Sequence, residues 1–295
     1  MLRNHIKFVT LSAALCATLG VAACGKTSYD VWRYESGDRL SAPADMMKRQ
    51  VTADPFMITV FEKVRKEGGV ADIYFESDGA ISYLGDKVMS VATNPTPSYP
   101  LGLHLASRDN ADNVISIARP CQYSGMSADR LGQLCKRDVW NNGRYSIETM
   151  NAMNTALDKI QKRYGFTGFH FIGVDGGAAV AVLLAAKRKD VLSLRTVAGI
   201  LDTDRYEAEH KRTSLKDSLN PKDFAKDIAG LPQHHFIANW DKDMSPAVYQ
   251  NYRNAMGPSS CIRYSLVDEV DHWKGWANRW DSLLKAPVNC DAGQQ

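Results

Sequence analysis

The sequence predicts an α/β domain: a single, mostly parallel sheet flanked by helices, with a short polar excursion over one end. Three observations predict it. Short β-rich runs alternate with helix-length stretches from residue 56 onward, the pattern of repeated β-α-β units. One run, residues 169–174, passes into an Ala/Val/Leu helix through Gly173-Val174-Asp175-Gly176-Gly177. Asp241 and His272 each follow a later β run, at the carboxyl ends where open α/β sheets place their sites.

Each element has its own signal. Residues 57–64 and 71–76 are β-rich runs separated by a Lys-Glu-Gly-Gly turn, and residues 114–118 form a short apolar run suited to a buried strand. From Ser146, residues Met150, Met153, Leu157 and Ile160 recur at spacings of 3, 4 and 3. That stripe predicts a helix with a serine N-cap and a glycine stop at Gly165, its methionines packed in the core. The helix after the glycine turn spans 178 to about 186, and a strand follows at 192–198. Residues 203–232 form the polar excursion, with one helical stretch. A strand at 235–239, a helix through Tyr252, a last strand at 262–267 and a helical tail at 273–284 complete the order. The sequence shows no repeat, no low-complexity tract and no second domain.

The chain has 295 residues, with 36 basic and 33 acidic side chains. The first 23 residues carry Arg3 and Lys7 and no acid. Without them 34 basic side chains face 33 acidic ones, a net charge of +1 over 272 residues. Nucleic-acid binding needs a basic face to displace counterions, and this balance offers none. A hydrophobic content of 44% with 23% charged residues excludes a disordered chain, a fibre and a polytopic membrane protein.

Arg3 and Lys7 precede an apolar run over residues 8–22, too short and too rich in small residues for a comfortable membrane span. The run ends in Val21-Ala22-Ala23-Cys24-Gly25, which resembles the bacterial lipoprotein box. The resemblance implies a signal peptide over 1–23, Cys24 as the lipidated first residue, and a location in the cell envelope, periplasm-facing or at the outer membrane. The alternative is plain secretory cleavage after Ala23 with an incidental cysteine. Residues 24–55, polar with Pro43 and Pro55, read as a tether, and 56–295 as the folded domain. The expected partners are a small-molecule substrate or ligand and a membrane reached through the lipid. Cys121, Cys135, Cys261 and Cys290 remain after export, an even number that suggests two disulfides. Three pairings are open; sequence proximity favours Cys121–Cys135 and Cys261–Cys290. The spacings are not those of a zinc site, and no metal or cofactor is expected.

The chemistry sits at three strand ends. Gly173-Val174-Asp175-Gly176-Gly177 matches the spacing of the nucleophile elbow G-x-S-x-G, with aspartate where serine would stand. It fails as a dinucleotide fingerprint, because it is not G-x-G-x-x-G and Asp175 would repel a pyrophosphate. The chain as a whole resembles a group of bacterial exported α/β-hydrolase-fold proteins over residues 72–284. The resemblance rests on Glu76-Ser77-Asp78-Gly79, on the Ala118-Arg119-Pro120-Cys121-Gln122-Tyr123 run, on the elbow, and on Val197-Ala198-Gly199 with Asp202. His235-Phe236-Ile237 ahead of Asp241, and Asp271-His272-Trp273-Lys274-Gly275-Trp276, complete it. Carried over by position, it implies that Asp241 is the acid and His272 the base. The oxyanion hole comes from the Asp78 and Gly79 loop and the Gly176 N–H. Two positions depart from the pattern: Asp175 replaces serine, and Ser77 replaces a glycine beside the hole.

Three readings of Asp175 compete. As a nucleophile it gains little in acyl transfer, because attack on an ester would give a reactive anhydride. Attack on a saturated carbon gives an ordinary ester, which a His272-activated water can hydrolyse. The related enzymes with aspartate here open epoxides or displace halide, but usually carry Trp where this chain has Gly176. Epoxide openers also use two cap tyrosines, whereas the excursion holds only Tyr206; Tyr83, Tyr99, Tyr123 and Tyr145 lie elsewhere. In the second reading the enzyme is degenerate, a binding or scaffold lipoprotein. Asp175 is then an N-cap, and Trp240 and Trp273 line a ligand pocket. In the third, Ser77 carries ordinary ester hydrolysis. Asp202 is a fallback partner for His272, Asp243 a surface charge, and His170 and His235 structural histidines within strands.

Overall fold

The computed structural model describes residues 28–290 apart from 80, 85–86, 92–93, 125–133 and 213. The expected signal peptide and Cys24 lie outside the described residues. Helix α1 (Ser28–Ser41) comes first, then β1 (Met47–Ala53), β2 (Phe56–Val64) and β3 (Val70–Phe75). A two-stranded hairpin, β4 (Ile81–Leu84) and β5 (Lys87–Val91), stands apart from the main sheet. It is followed by α2 (Leu101–Ala106), β6 (Asn113–Ile117), α3 (Ile147–Tyr164), β7 (Gly168–Val174) and α4 (Gly176–Lys187). Then come β8 (Val191–Val197), α5 (Thr203–Glu209), β9 (Gln233–Ala238), α6 (Pro246–Met256), β10 (Ile262–Val267) and α7 (Trp276–Leu283).

The main sheet has eight strands in the order β1-β2-β6-β3-β7-β8-β9-β10. β2 pairs antiparallel with β1 and β6; every pairing from β6 to β10 is parallel. Parallel strands need crossovers, and these place helices on both faces. Alternation along β7 shows the result. Phe169 and Phe171 join a core with α3, α4 and α6, while Ile172 and Val174 join the opposite core with α2 and α7. Ten residues of α4 are buried, so that helix is apolar all round rather than striped. On α3, Ser146 Oγ accepts the Thr149 N–H at 3.2 Å, and Gly165, at φ +66°, ends the helix.

The expected tether over 24–55 is corrected from residue 28 onward. α1 and β1 are ordered parts of the domain, and β1 pairs with β2 over seven residues from Met47↔Glu62 to Ala53↔Phe56. β1 is an edge strand in which only Val51 and Ala53 are buried. Its backbone ladder and the Arg49–Glu62 ion pair hold it, so its sequence carries little apolar alternation. The polar excursion over 203–232 contains α5 and a 3₁₀ segment at Pro221–Ile228, where one helical stretch was expected. The disulfides join Cys121 to Cys135 and Cys261 to Cys290.

Candidate active site

Three loops at the carboxyl end of the sheet converge on Asp175. The strand-to-helix turn holds this residue at φ +51°, ψ −121°, a strained conformation for a side chain other than glycine. Its backbone is fixed on both sides: its N–H donates to Val197 O, and its carbonyl accepts from the N–H groups of Ala178 and Ile200, each at 3.0 Å. Gly173 and Gly177 make the turn possible, because a Cβ at either position would collide with backbone, at Ala178 and at Phe75 respectively.

The two carboxylate oxygens of Asp175 have different partners. Oδ1 lies 3.2 Å from His272 Nε2. Oδ2 accepts the Asp78 backbone N–H at 3.0 Å, and the Gly176 N–H also bonds to the carboxylate. Oδ2 therefore occupies the position expected of an oxyanion hole. Gly79, at φ +59°, contributes wall rather than a donor to Asp175; a Cβ there would meet Pro97 Cα at 2.7 Å. His272 Nδ1 lies 2.9 Å from Asp241 Oδ2, and Asp241 Oδ1 accepts the N–H groups of Asp243 and Met244, each at 2.8 Å. The order is carboxylate, imidazole, carboxylate.

Asp175 and His272 are 3% exposed, so their charges matter. Burial alone would lower the His272 pKa, but hydrogen bonds and charge from Asp175 and Asp241 outweigh it and push the pKa up to about 10. Burial would raise the Asp175 pKa; the bonds and charge of His272, with the N–H groups of Asp78 and Gly176, hold it below the ordinary value. At neutral pH the resting site is thus an imidazolium between two carboxylates. Asp241, Asp243 and His272 offer ligand atoms within 4.8 Å of one another. In this structure His272 Nδ1 is taken up by its hydrogen bond to Asp241 Oδ2.

Behind the hole is a buried charge network. The Asp78 carboxylate is bonded by Arg119, paired with Arg144 at 3.0 Å, and accepts the Tyr145 hydroxyl at 2.9 Å. Arg144 continues to Glu207 on α5 at 2.5 Å, and Glu207 to Arg212 at 2.6 Å. A Cβ at Gly176 would collide with the Asp78 carboxylate and lie 2.6 Å from the Tyr145 hydroxyl. The space a larger residue would take after the aspartate is already filled by Asp78.

Above Asp175 lies a cavity of about 320 Å³, open to solvent. Arg33, Asp78, Gly79, Pro97, Ser98, Tyr99, Tyr206, Trp273 and Lys274 complete its lining. Trp273 takes its expected place, its ring 4.5 Å from His272. Trp240 does not: it is 59% exposed and absent from the lining. In the turn after β9, Asp241 faces the histidine and its neighbour Trp240 faces solvent. Asp175 makes no capping bond farther into α4, which removes the N-cap explanation. Ser77 is fully buried and its hydroxyl donates to Glu76 at 3.1 Å, away from His272. Asp202 caps α5 and bonds Asn220 and Asn251. His170 bonds Ser193 and His235 bonds Thr196, each at 2.7 Å. Arg33, Pro97 and Ser98 in the wall were not foreseen, because each comes from a segment without strong periodicity.

Neither a family model nor a curated protein matches the sequence. Solved structures do resemble it. An esterase of Pyrococcus furiosus superposes with a TM-score of 0.58 at 11% identity, covering 84% of this chain and 94% of the esterase. The fold decides the matter. The chain has the α/β-hydrolase fold. A membrane phospholipase A, described as a bacterial virulence factor, matches 94% of this chain and 98% of its own, with a TM-score of 0.52 and 11% identity. Est1E of Butyrivibrio proteoclasticus matches 81% of this chain and 98% of its own, with a TM-score of 0.51 and 9% identity. At such identities the likeness is one of fold.

Proposed function

We propose that the chain is a lipid-anchored hydrolase of the cell envelope that attacks an electrophilic saturated carbon, an epoxide or alkyl halide, through an ester on Asp175. One observation carries this reading. Under an open cavity, one Asp175 oxygen is on the His272 side and the other already lies in the oxyanion hole. A serine offers one oxygen and must borrow the second from its substrate; the aspartate brings both.

In the first step Oδ1 of Asp175 bonds to carbon, and the carbon–oxygen bond of an epoxide or the carbon–halogen bond breaks. The electron pair goes to the leaving atom. Halide leaves as the anion, whereas an epoxide oxygen takes a proton from a cavity phenol, Tyr99 or Tyr206. Esterification removes the charge of Asp175, so His272 keeps only Asp241 as a carboxylate partner and its pKa falls. Its proton is released, to the phenolate after an epoxide opening or to solvent after halide loss. Neutral His272 then takes a proton from water whose oxygen adds to Cγ of Asp175. The oxyanion forming on Oδ2 is held by the N–H groups of Asp78 and Gly176. Collapse breaks the Cγ–Oδ1 bond, so the product alcohol leaves with Oδ1 and the proton from His272. The carboxylic acid left on Asp175 passes its own proton to His272, which restores the carboxylate and the imidazolium.

The decisive variants are at position 175. The wild-type protein should be inert towards p-nitrophenyl esters, while Asp175→Ser gains esterase activity from the same hole and histidine. Asp175→Asn should lose epoxide hydrolysis by about a thousandfold or more, the scale of removing a group at the reacting centre. Ester hydrolysis by the wild type that survives Asp175→Asn would overturn the reading in favour of another nucleophile.

A further inference from the structure

The cavity wall is tied to the helix next to the expected anchor. Arg33, on α1, lines the cavity, and its guanidinium donates to the carbonyls of Asn94 and Thr96, each at 3.0 Å. These bonds pin the loop that carries Pro97, Ser98 and Tyr99, three more lining residues, to α1. α1 begins at Ser28, four residues after Cys24. Four residues reach at most about 14 Å when extended. Five helical residues to Arg33 add about 7 Å. A domain of this size has a radius of gyration of roughly 18 Å and is some 45 Å across. The Cα of a lipidated Cys24 is therefore within about 21 Å of the Cα of Arg33, whose side chain reaches the cavity, well under the full width of the molecule. Arg33 thus ties the wall to the part of the molecule nearest the expected anchor.

The surface there suits an interface. Tyr99, on the rim, is 38% exposed, and Trp32, beside Arg33 on α1, is 42% exposed. Amphipathic aromatic rings favour the boundary between head groups and water. Lys274, also on the rim, is exposed. α1 itself has no apolar stripe, so the acyl chains rather than the helix would hold the surface.

We infer that the cavity opens towards the bilayer and takes its substrate from it: a membrane lipid whose acyl chain carries the electrophilic carbon, an epoxy-fatty-acyl phospholipid. The head group stays at the surface while the chain carries the epoxide down past Tyr99 and Trp273 to Asp175. This inference rests on the Asp175 chemistry and the Cys24 anchor proposed above, and the test separates them from it.

The lipidated full-length protein is reconstituted in phosphatidylglycerol/phosphatidylethanolamine vesicles. An epoxystearoyl phosphatidylcholine is placed either in the same vesicles or in separate ones, and styrene oxide serves as a soluble substrate. The expected result is diol formation at least tenfold faster from lipid in the same vesicles, with equal styrene oxide turnover in both settings. Cys24→Ser should lose that advantage and keep styrene oxide turnover. In parallel, a fluorophore on Ser98→Cys should be quenched by nitroxide-labelled lipids severalfold more than one on Asn254→Cys. Asn254 is exposed near the carboxyl end of α6, at the opposite end of the sheet. Equal rates from same and separate vesicles with styrene oxide consumed, or equal quenching of the two labels, would overturn the membrane-facing cavity. Quenching at Ser98 with neither epoxide consumed would overturn the lipid-epoxide assignment through the chemistry of Asp175, not through the orientation.

Discussion

A carboxylate at position 175 has two oxygens where serine has one, and each is already bonded, to His272 and to the Asp78 N–H. The cost of that arrangement is a protonated base. With its pKa near 10, His272 is protonated at neutral pH, and in the proposed cycle it can accept a proton from water only once Asp175 is esterified. The pH dependence of stability follows. Pairing of His272 contributes fully below the ordinary histidine value of about 6.5 and is lost as pH rises through about 10. Asp175, depressed, contributes above its ordinary value and loses that contribution as pH falls through its folded value, below 3.8. Titration of the His272 imidazole by NMR should give a pKa well above 7 in the wild type. In Asp175→Asn it should drop by a unit or more, because one of two carboxylate partners is gone. A His272 pKa near 6.5 in both proteins would contradict the charged resting site. At this scale the triad positions were legible, because strand-end residues in chain order mark the site. The engagement of Ser77 by Glu76 and the outward turn of Trp240 were not, because they depend on side-chain direction in turns.

Strands and helices with strong periodicity were legible element by element. The stripe of Met150, Met153, Leu157 and Ile160 becomes the buried face of α3, and the Phe169-His170-Phe171 run becomes part of β7. The elements that escaped lack such patterns. β1 buries two of its seven residues, and α2 is six residues long. The Glu76 carboxylate, 26 residues before Gly102 in sequence, accepts the Gly102 and Leu103 N–H groups and so starts α2. The disulfides also act at this scale. Cys121–Cys135 spans 14 residues and follows the loop that carries Arg119 to Asp78. Replacing both cysteines by serine should cost about 3 kcal/mol in the chain-entropy account. Urea unfolding at equilibrium, with the reduced wild type for reference, measures it; a change under about 0.5 kcal/mol would mean that the bond constrains little.

For the whole molecule, the sheet order brings together segments that are far apart in sequence. Arg33, Gly79, Tyr99, Asp175, Tyr206 and Trp273 line one cavity although about 240 residues separate the first from the last. No local pattern encodes such a wall, which is why the sequence located the reacting groups and not the space above them. Among the described residues no helix is long and apolar enough to cross a membrane; the proposed attachment is through Cys24. Cys24→Ser should move the protein from the membrane fraction to the soluble fraction and abolish incorporation of radiolabelled palmitate. Unchanged partitioning would leave the anchor without support. The most direct measurement concerns Asp175. His272→Gln protein, incubated with a panel of epoxides and haloalkanes, should accumulate a covalent adduct on the peptide containing Asp175, since the ester forms but cannot be hydrolysed. Mass spectrometry of that peptide should show the added mass of an opened epoxide or a displaced-halide alkyl group. An unmodified peptide, with the wild type still turning over the same substrate, would contradict the account.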